Sequence, residues 1–149
     1  MTRNRFVFVA GALVVGLSLT ACGQETAEAA HDAPAVIEEI DGSELKRITL
    51  TSLAAQRLDI QTAVVERATT DGEERLAVPY GAVVWDADGT TWTYTMPDEL
   101  VFVRAAITLD RIDGDRALLL DGPDEGMPVV IVGAAELWGA EHGVGGGGH

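Results

Sequence analysis

The chain has 149 residues and a formal net charge of −14, with 24 acidic side chains against 10 basic ones. That balance argues against nucleic acid and against an anionic lipid surface as electrostatic partners, and directs any charge steering toward a basic or cationic one. A single cysteine excludes an intramolecular disulfide, and an apolar fraction of 47% is ordinary for a globular domain.

Arg3 and Arg5 precede an apolar run from Phe6 to Leu19. The run is too short and glycine-rich for a spanning helix and suits the hydrophobic stretch of a secretory signal. It ends in Leu19-Thr20-Ala21-Cys22, which resembles a bacterial lipobox. The resemblance implies a signal peptide over residues 1–21, cleavage before Cys22, a diacylglyceryl thioether on its sulfur and an acyl chain such as palmitate on the new terminus. Each buried CH₂ adds about 0.8 kcal/mol of membrane affinity, so several chains give a stable anchor. A modified Cys22 leaves no thiol for metal binding or nucleophilic chemistry. Gly23, not aspartate, follows the cysteine, so nothing resembles the inner-membrane retention signal, and the choice of membrane stays open. Losing Arg3 and Arg5 with the leader shifts the formal charge from −14 to −16.

Residues 22–35 read as a flexible, lipid-linked tether, because Gln24 to Pro34 is small, polar and acidic with no apolar period; His31 within it has no fixed neighbour. Residues 36–141 read as one β domain. Ile48 and Leu50 mark a strand, Thr51 or Ser52 caps a short helix through Leu58, and Ile60 and Val64 mark the next strand. Ala68 to Arg75 is a connector. Val78 to Trp85 is an apolar strand closing on the turn Asp86-Ala87-Asp88-Gly89, where glycine supplies positive φ. In the following strand Trp92, Tyr94 and Met96 alternate with Thr91, Thr93 and Thr95, which predicts a half-buried strand with its threonines outward. Pro97-Asp98-Glu99 is the predicted turn into a third strand. There Val101, Val103, Ala105, Ile107 and Leu109 line one side, against Phe102, Arg104, Ala106 and Thr108. Turns at Asp113-Gly114 and Gly122 to Gly126 separate the apolar runs Ala117 to Leu120 and Met127 to Val132. Ala134 to Ala140 is a helical turn or a last edge strand, and residues 142–149 are a disordered glycine and histidine tail.

The fold class is mainly β: a single small antiparallel β-roll or barrel-like domain with one short helix, flanked by a signal peptide and disordered tails. Two stretches carry a family resemblance. VPYGAVVWDADGTTWTYTMPDELVFVR, over 78–104, continues to the Asp124-Glu125-Gly126, Val129-Val130 and Gly133 ending. ITLTSLAAQRLDIQTAVVER occupies 48–67. Both resemble the periplasmic adaptor (membrane fusion protein) family of tripartite efflux systems, in its membrane-proximal domain. In that family the domain is built from both ends of the chain, with a β-barrel, a lipoyl-like domain and a helical hairpin inserted between; here only ATTDGEER joins the two stretches. The resemblance implies a non-catalytic envelope lipoprotein, extracytoplasmic and lipid-anchored, that docks on an inner-membrane efflux transporter or an adaptor subunit and modulates transport.

Candidate sites follow from residue types. Serine occurs only at Ser18, Ser43 and Ser52, and histidine only at His31, His142 and His149, in tether and tail, so a Ser-His-acid triad has no rigid scaffold. Lys46, the sole lysine, sits beside Arg47 at a strand start, a poor setting for a desolvated catalytic amine. Asp86, Asp88, Asp113, Asp115, Asp121 and Asp124 all fall at turns, where aspartate is favoured for its backbone hydrogen bonds. Asp86 to Gly89 lacks the third acidic position and terminal glutamate of a calcium loop. No cofactor is expected. Trp92, Tyr94, Phe102, Arg104 and Trp138 are candidates for partner contact along a sheet edge, the alternative being core. Glu141, His142 and His149 are candidate ligands of zinc or copper, the basis of a second reading as an extracytoplasmic metal- or small-cation-binding lipoprotein feeding an exporter.

Overall fold

The computed structural model describes residues 33–143. The leader, Cys22, most of the tether, and the tail after Gly143 with His149 lie outside the described residues. The elements are β1 (Ala35–Glu39), β2 (Lys46–Leu50), α1 (Ser52–Arg57), β3 (Gln61–Val64), β4 (Glu66–Thr70), β5 (Glu73–Pro79), β6 (Val84–Trp85), β7 (Thr91–Asp98), β8 (Val101–Ala106), β9 (Thr108–Asp113), β10 (Arg116–Asp121), β11 (Pro128–Val132) and α2 (Ala134–Glu141), with a 3-10 turn at Tyr80–Ala82. The predicted small, mainly antiparallel β domain is what forms. It has two sheets, in the orders β1-β2-β8-β7-β11-β3, with β6 added alongside β7, and β4-β5-β10-β9.

Two apolar clusters divide the core. Ile48, Leu50, Tyr94, Phe102 and Val130 of the larger sheet meet Ala54 of α1 and Ala134 and Leu137 of α2. Val65, Val78, Ala82, Ile107, Ala117, Leu119 and Val129 form the second. Val129 and Val130 are successive residues of β11, so the pleat sends one to each cluster, and the larger sheet is covered on both faces. Thr51 caps α1 as expected, its hydroxyl accepting from the Ala54 N–H at 3.2 Å.

Several expectations change. β7 is not half-exposed: Thr91, Thr93 and Thr95 are buried as well as Tyr94, because Thr95 pairs with Val129 on the face that meets the second cluster. Thr91 Oγ1 donates to the Ile107 carbonyl and Thr95 Oγ1 to that of Val103, which satisfies two of the three hydroxyls; Thr93 Oγ1 has no partner among the described residues. Pro97 stays in β7, and the chain reverses three residues later at Leu100, with φ +60. The predicted third strand breaks at Ile107, where the chain leaves the larger sheet for the smaller. Its deeper side is Phe102 and Arg104, with Val101 and Val103 only half-buried, since Phe102 pairs with Ile48 under the helices. Val78 to Trp85 is likewise interrupted by the 3-10 turn. There Gly81 lies so near β11 that a Cβ would sit 2.8 Å from the Ile131 carbonyl oxygen. The Ala68 to Arg75 connector is the β4–β5 hairpin, closed by Asp71 and Gly72, both at positive φ, the two-residue turn that matches strand twist. Residues 134–141 form a helix, so there are two short helices rather than one. Gly133 introduces α2 at φ +90, and a Cβ there would meet Ile60 Cδ1 at 2.2 Å.

Candidate functional site

The expected contact residues converge, but around a buried charge and not on a sheet edge. β7 and β8 are interior strands, and Tyr94 and Phe102 are fully buried in the first cluster, which removes both from any partner surface. Alternation along β8 puts Arg104 on the face of Phe102, and register sets it opposite Tyr94. Its guanidinium carbon lies 4.1 Å from the Trp92 ring centroid and 5.0 Å from that of Trp138. Two indole faces thus flank one cation, an arrangement worth about 0.5–2 kcal/mol per face depending on desolvation.

The counter-charge comes from α2. Ala134, Leu137 and Glu141 recur at helical spacing and are the buried residues of that helix, so its inner face ends in a carboxylate. Glu141 Oε1 lies 3.2 Å from Arg104 Nε, an ion pair whose direction falls outside that of a hydrogen bond, and Tyr94 Oη donates to Glu141 Oε2 at 2.5 Å. Lys46 Nζ donates to the Glu141 backbone carbonyl at 2.9 Å, satisfying an orphan acceptor at the helix end. Burial raises the Tyr94 pKa, and the hydrogen bond and charge of Glu141 push it the same way, so the phenol stays a proton donor throughout the physiological range.

Chemically this is a fastening. It holds α2 to β7 and β8 and leaves the half-buried rims of Trp92 and Trp138, and the exposed ring of His142, for anything outside. His142 stacks on Trp138 with centroids 4.3 Å apart, and its Nδ1 is 2.9 Å from the Trp138 carbonyl. Glu141 is therefore directed into the core and away from the tail, while His149 lies outside the described residues; among those, no group of three or more His, Cys, Asp or Glu side chains is placed to hold a metal ion. Two of the turn acids serve their own turn: Asp88 Oδ1 accepts from the Thr90 N–H at 2.9 Å, which lowers its pKa, and Asp86 Oδ1 accepts from the Ala87 N–H. Among the described residues, the open edges are β1, β3 and the two-residue β6 of the larger sheet and β4 and β9 of the smaller. No described helix is long and apolar enough to cross a membrane.

No family model and no curated protein matches the chain. A solved structure similar to it is a 180-residue piece of SilB from Cupriavidus metallidurans CH34, seen by NMR, that encompasses the N-terminal metal-binding site and the membrane proximal domain of that protein. The identity is 25%, the TM-score 0.46, and the match covers 56% of this chain and 48% of the other. The chain thus matches about half the length of that piece.

Proposed function

We propose that the chain is a non-catalytic envelope lipoprotein, held to a membrane through Cys22, whose adaptor-like β domain docks on an inner-membrane efflux transporter or an adaptor subunit and modulates transport. One observation carries the reading. The two stretches that resemble the two ends of an adaptor interleave in one sheet: β8, β7 and β11 of the second lie between β2 and β3 of the first. A membrane-proximal domain assembled from both chain ends requires that kind of interleaving. The joint between the stretches is the β4–β5 hairpin, where an adaptor carries its inserted domains.

The test is in-cell crosslinking of the full-length lipidated chain, gentle detergent purification and mass spectrometry. Recovery of an efflux transporter or adaptor is expected, along with altered export on deletion. Recovery of the chain alone, from cells that express the pumps, would sink the docking role.

A further inference from the structure

We infer that the open edge of β1 accepts an extended basic segment of a partner protein by strand addition. The inference names a surface and a partner chemistry for the docking reading, and rests on that reading only for where such a partner is met.

The edges that the described residues present are not equivalent, and β6, at two residues, is too short to template a strand. β4 and the β9 region carry Arg67, Asp71, Asp110 and Arg111 in ion pairs, the charged decoration that discourages pairing. β3 is a four-residue strand without a charge. β1 differs from both. Register aligns Phe102, Ile48 and Ile37 in one row across β8, β2 and β1, and their exposures are 0%, 0% and 43%. A row of the core therefore runs off the sheet at Ile37, and Val36, on the opposite face, is 51% exposed. A further strand would continue that row and cover both residues.

Charge selects the guest. Glu38 and Glu39 stand opposite Arg47 and Lys46, yet neither makes a salt bridge within 4 Å among the described residues. Lys46 is drawn off by the Glu141 carbonyl. A second copy of this chain is a poor guest: its own formal charge is −14, and antiparallel self-pairing about Ile37 sets Glu38 opposite Val36, so no carboxylate gains a cation. In an antiparallel guest, an apolar residue opposite Ile37 puts the next residue opposite Val36 and the two preceding ones opposite Glu38 and Glu39. The edge thus fits a segment reading basic, basic, apolar, apolar from its N-terminus. Main-chain hydrogen bonds supply affinity, and the alternating side chains supply selectivity.

The probes are two ten-residue peptides of one composition, one centred on Lys-Arg-Ile-Val and one on Lys-Ile-Arg-Val. Each is titrated into the full-length chain in detergent micelles and followed by anisotropy and by amide hydrogen exchange. Expected are tenfold or greater preference for the first peptide, new protection confined to Ala35–Glu39, and loss of the preference in both Ile37→Lys and the double variant Glu38→Lys/Glu39→Lys. These positions are exposed, and unchanged thermal melting verifies their fold. Equal binding of the two peptides, no binding, or protection spread over the smaller sheet overturns the inference. So does an edge already protected without peptide, which would mean that the chain's own preceding segment or a second copy covers it. A photoreactive group at Val64 that captures a transporter in cells, while one at Ile37 does not, sinks the β1 edge and leaves the docking reading standing. Peptide binding at β1 with no transporter or adaptor recovered does the reverse.

Discussion

Arg104 and Glu141 form an ion pair in which the side chains are 9% and 2% exposed, although one belongs to an interior strand and the other to the last helix. Removing one member of such a pair leaves an uncompensated buried charge. Glu141→Ala strands the guanidinium between its indoles and deprives Tyr94 of its acceptor, and we expect a loss of about 3–5 kcal/mol. Glu141→Gln keeps an acceptor for Tyr94 and should cost less. Glu66→Ala, which breaks the exposed pair with Arg116, should stay within about 1 kcal/mol. Urea unfolding of the three variants orders them; a Glu141→Ala cost no larger than that of Glu66→Ala would show that the pair does not hold α2 in place.

The Tyr94 phenol predicts an alkaline limit. Its pKa in the folded chain is raised above the ordinary value of 10.0 by burial first and then by Glu141. The unfolded chain therefore releases this proton at lower pH than the folded chain does. Below about 10 both states keep it and the contribution is complete; above 10 stability falls with each increment of pH, by up to about 1.4 kcal/mol per unit for one proton. Tyr94→Phe removes that slope while lowering stability at neutral pH, because Glu141 loses a donor. Denaturation midpoints from pH 8 to 11.5 test it, and equal slopes for the two proteins would assign the alkaline loss to other groups.

Much of this was legible in the sequence. The Thr51 cap, the Gly89 and Gly114 turns and the strands around Ile48, Ala117 and Val129 depend on local chemistry, and the chain reports local chemistry directly. The burial of Thr93 was not legible, since alternation shows which residues share a face but not whether a second sheet covers it. The break at Ile107 has the same cause: strand pattern continues smoothly through a residue where only the pairing partner changes. Glu141 did leave a signal. Ala134, Leu137 and Glu141 share a helical face, and a lone carboxylate on an apolar face demands a cation, which Arg104, beside Phe102 in an apolar strand, could have answered. The pattern of residues 134–140 fits helix or strand, and only the helix has that face. Tyr94 and Phe102 lie in the strands that alternation predicts, but β2 and β11 flank those strands and leave no free edge beside them.

Thr93 offers a change in the favourable direction. Its hydroxyl is buried without a partner among the described residues, whereas that of Thr91 donates to the Ile107 carbonyl. An unsatisfied buried polar group costs about 1–3 kcal/mol, and valine has nearly the same shape. Thr93→Val should raise stability by about 1 kcal/mol, and Thr91→Val should lower it by a similar amount, since it removes the hydrogen bond at the corner between the sheets. Thermal melting of both variants decides; destabilisation by Thr93→Val would mean that a buried water serves its hydroxyl.

The β4–β5 turn gives the last prediction. If the domain has the chain logic of an adaptor, the joint between its two stretches should tolerate a long insertion. Asp71 and Gly72 form a two-residue turn at the hairpin tip, and the described tie from the turn to the rest of the domain is the exposed pair between Asp71 and Arg111. The β7–β8 turn is different: the Leu100 carbonyl accepts from the Leu50 N–H at 2.9 Å, so that turn helps to hold β2. Loop-closure entropy grows only as the logarithm of length, about 0.6 kcal/mol per doubling, so a small folded domain with adjacent termini adds little where the turn backbone is otherwise unused. Inserted between Asp71 and Gly72 it should cost no more than about 2 kcal/mol, chiefly the lost turn geometry. The same insert between Glu99 and Leu100 should cost clearly more, because it also frees the Leu50 donor. Urea unfolding followed through the host tryptophans compares the two. Failure of the first insertion to fold, with the second tolerated, would place the open joint of this domain at β7–β8 and remove the reason to see in its connector the exit point of inserted domains.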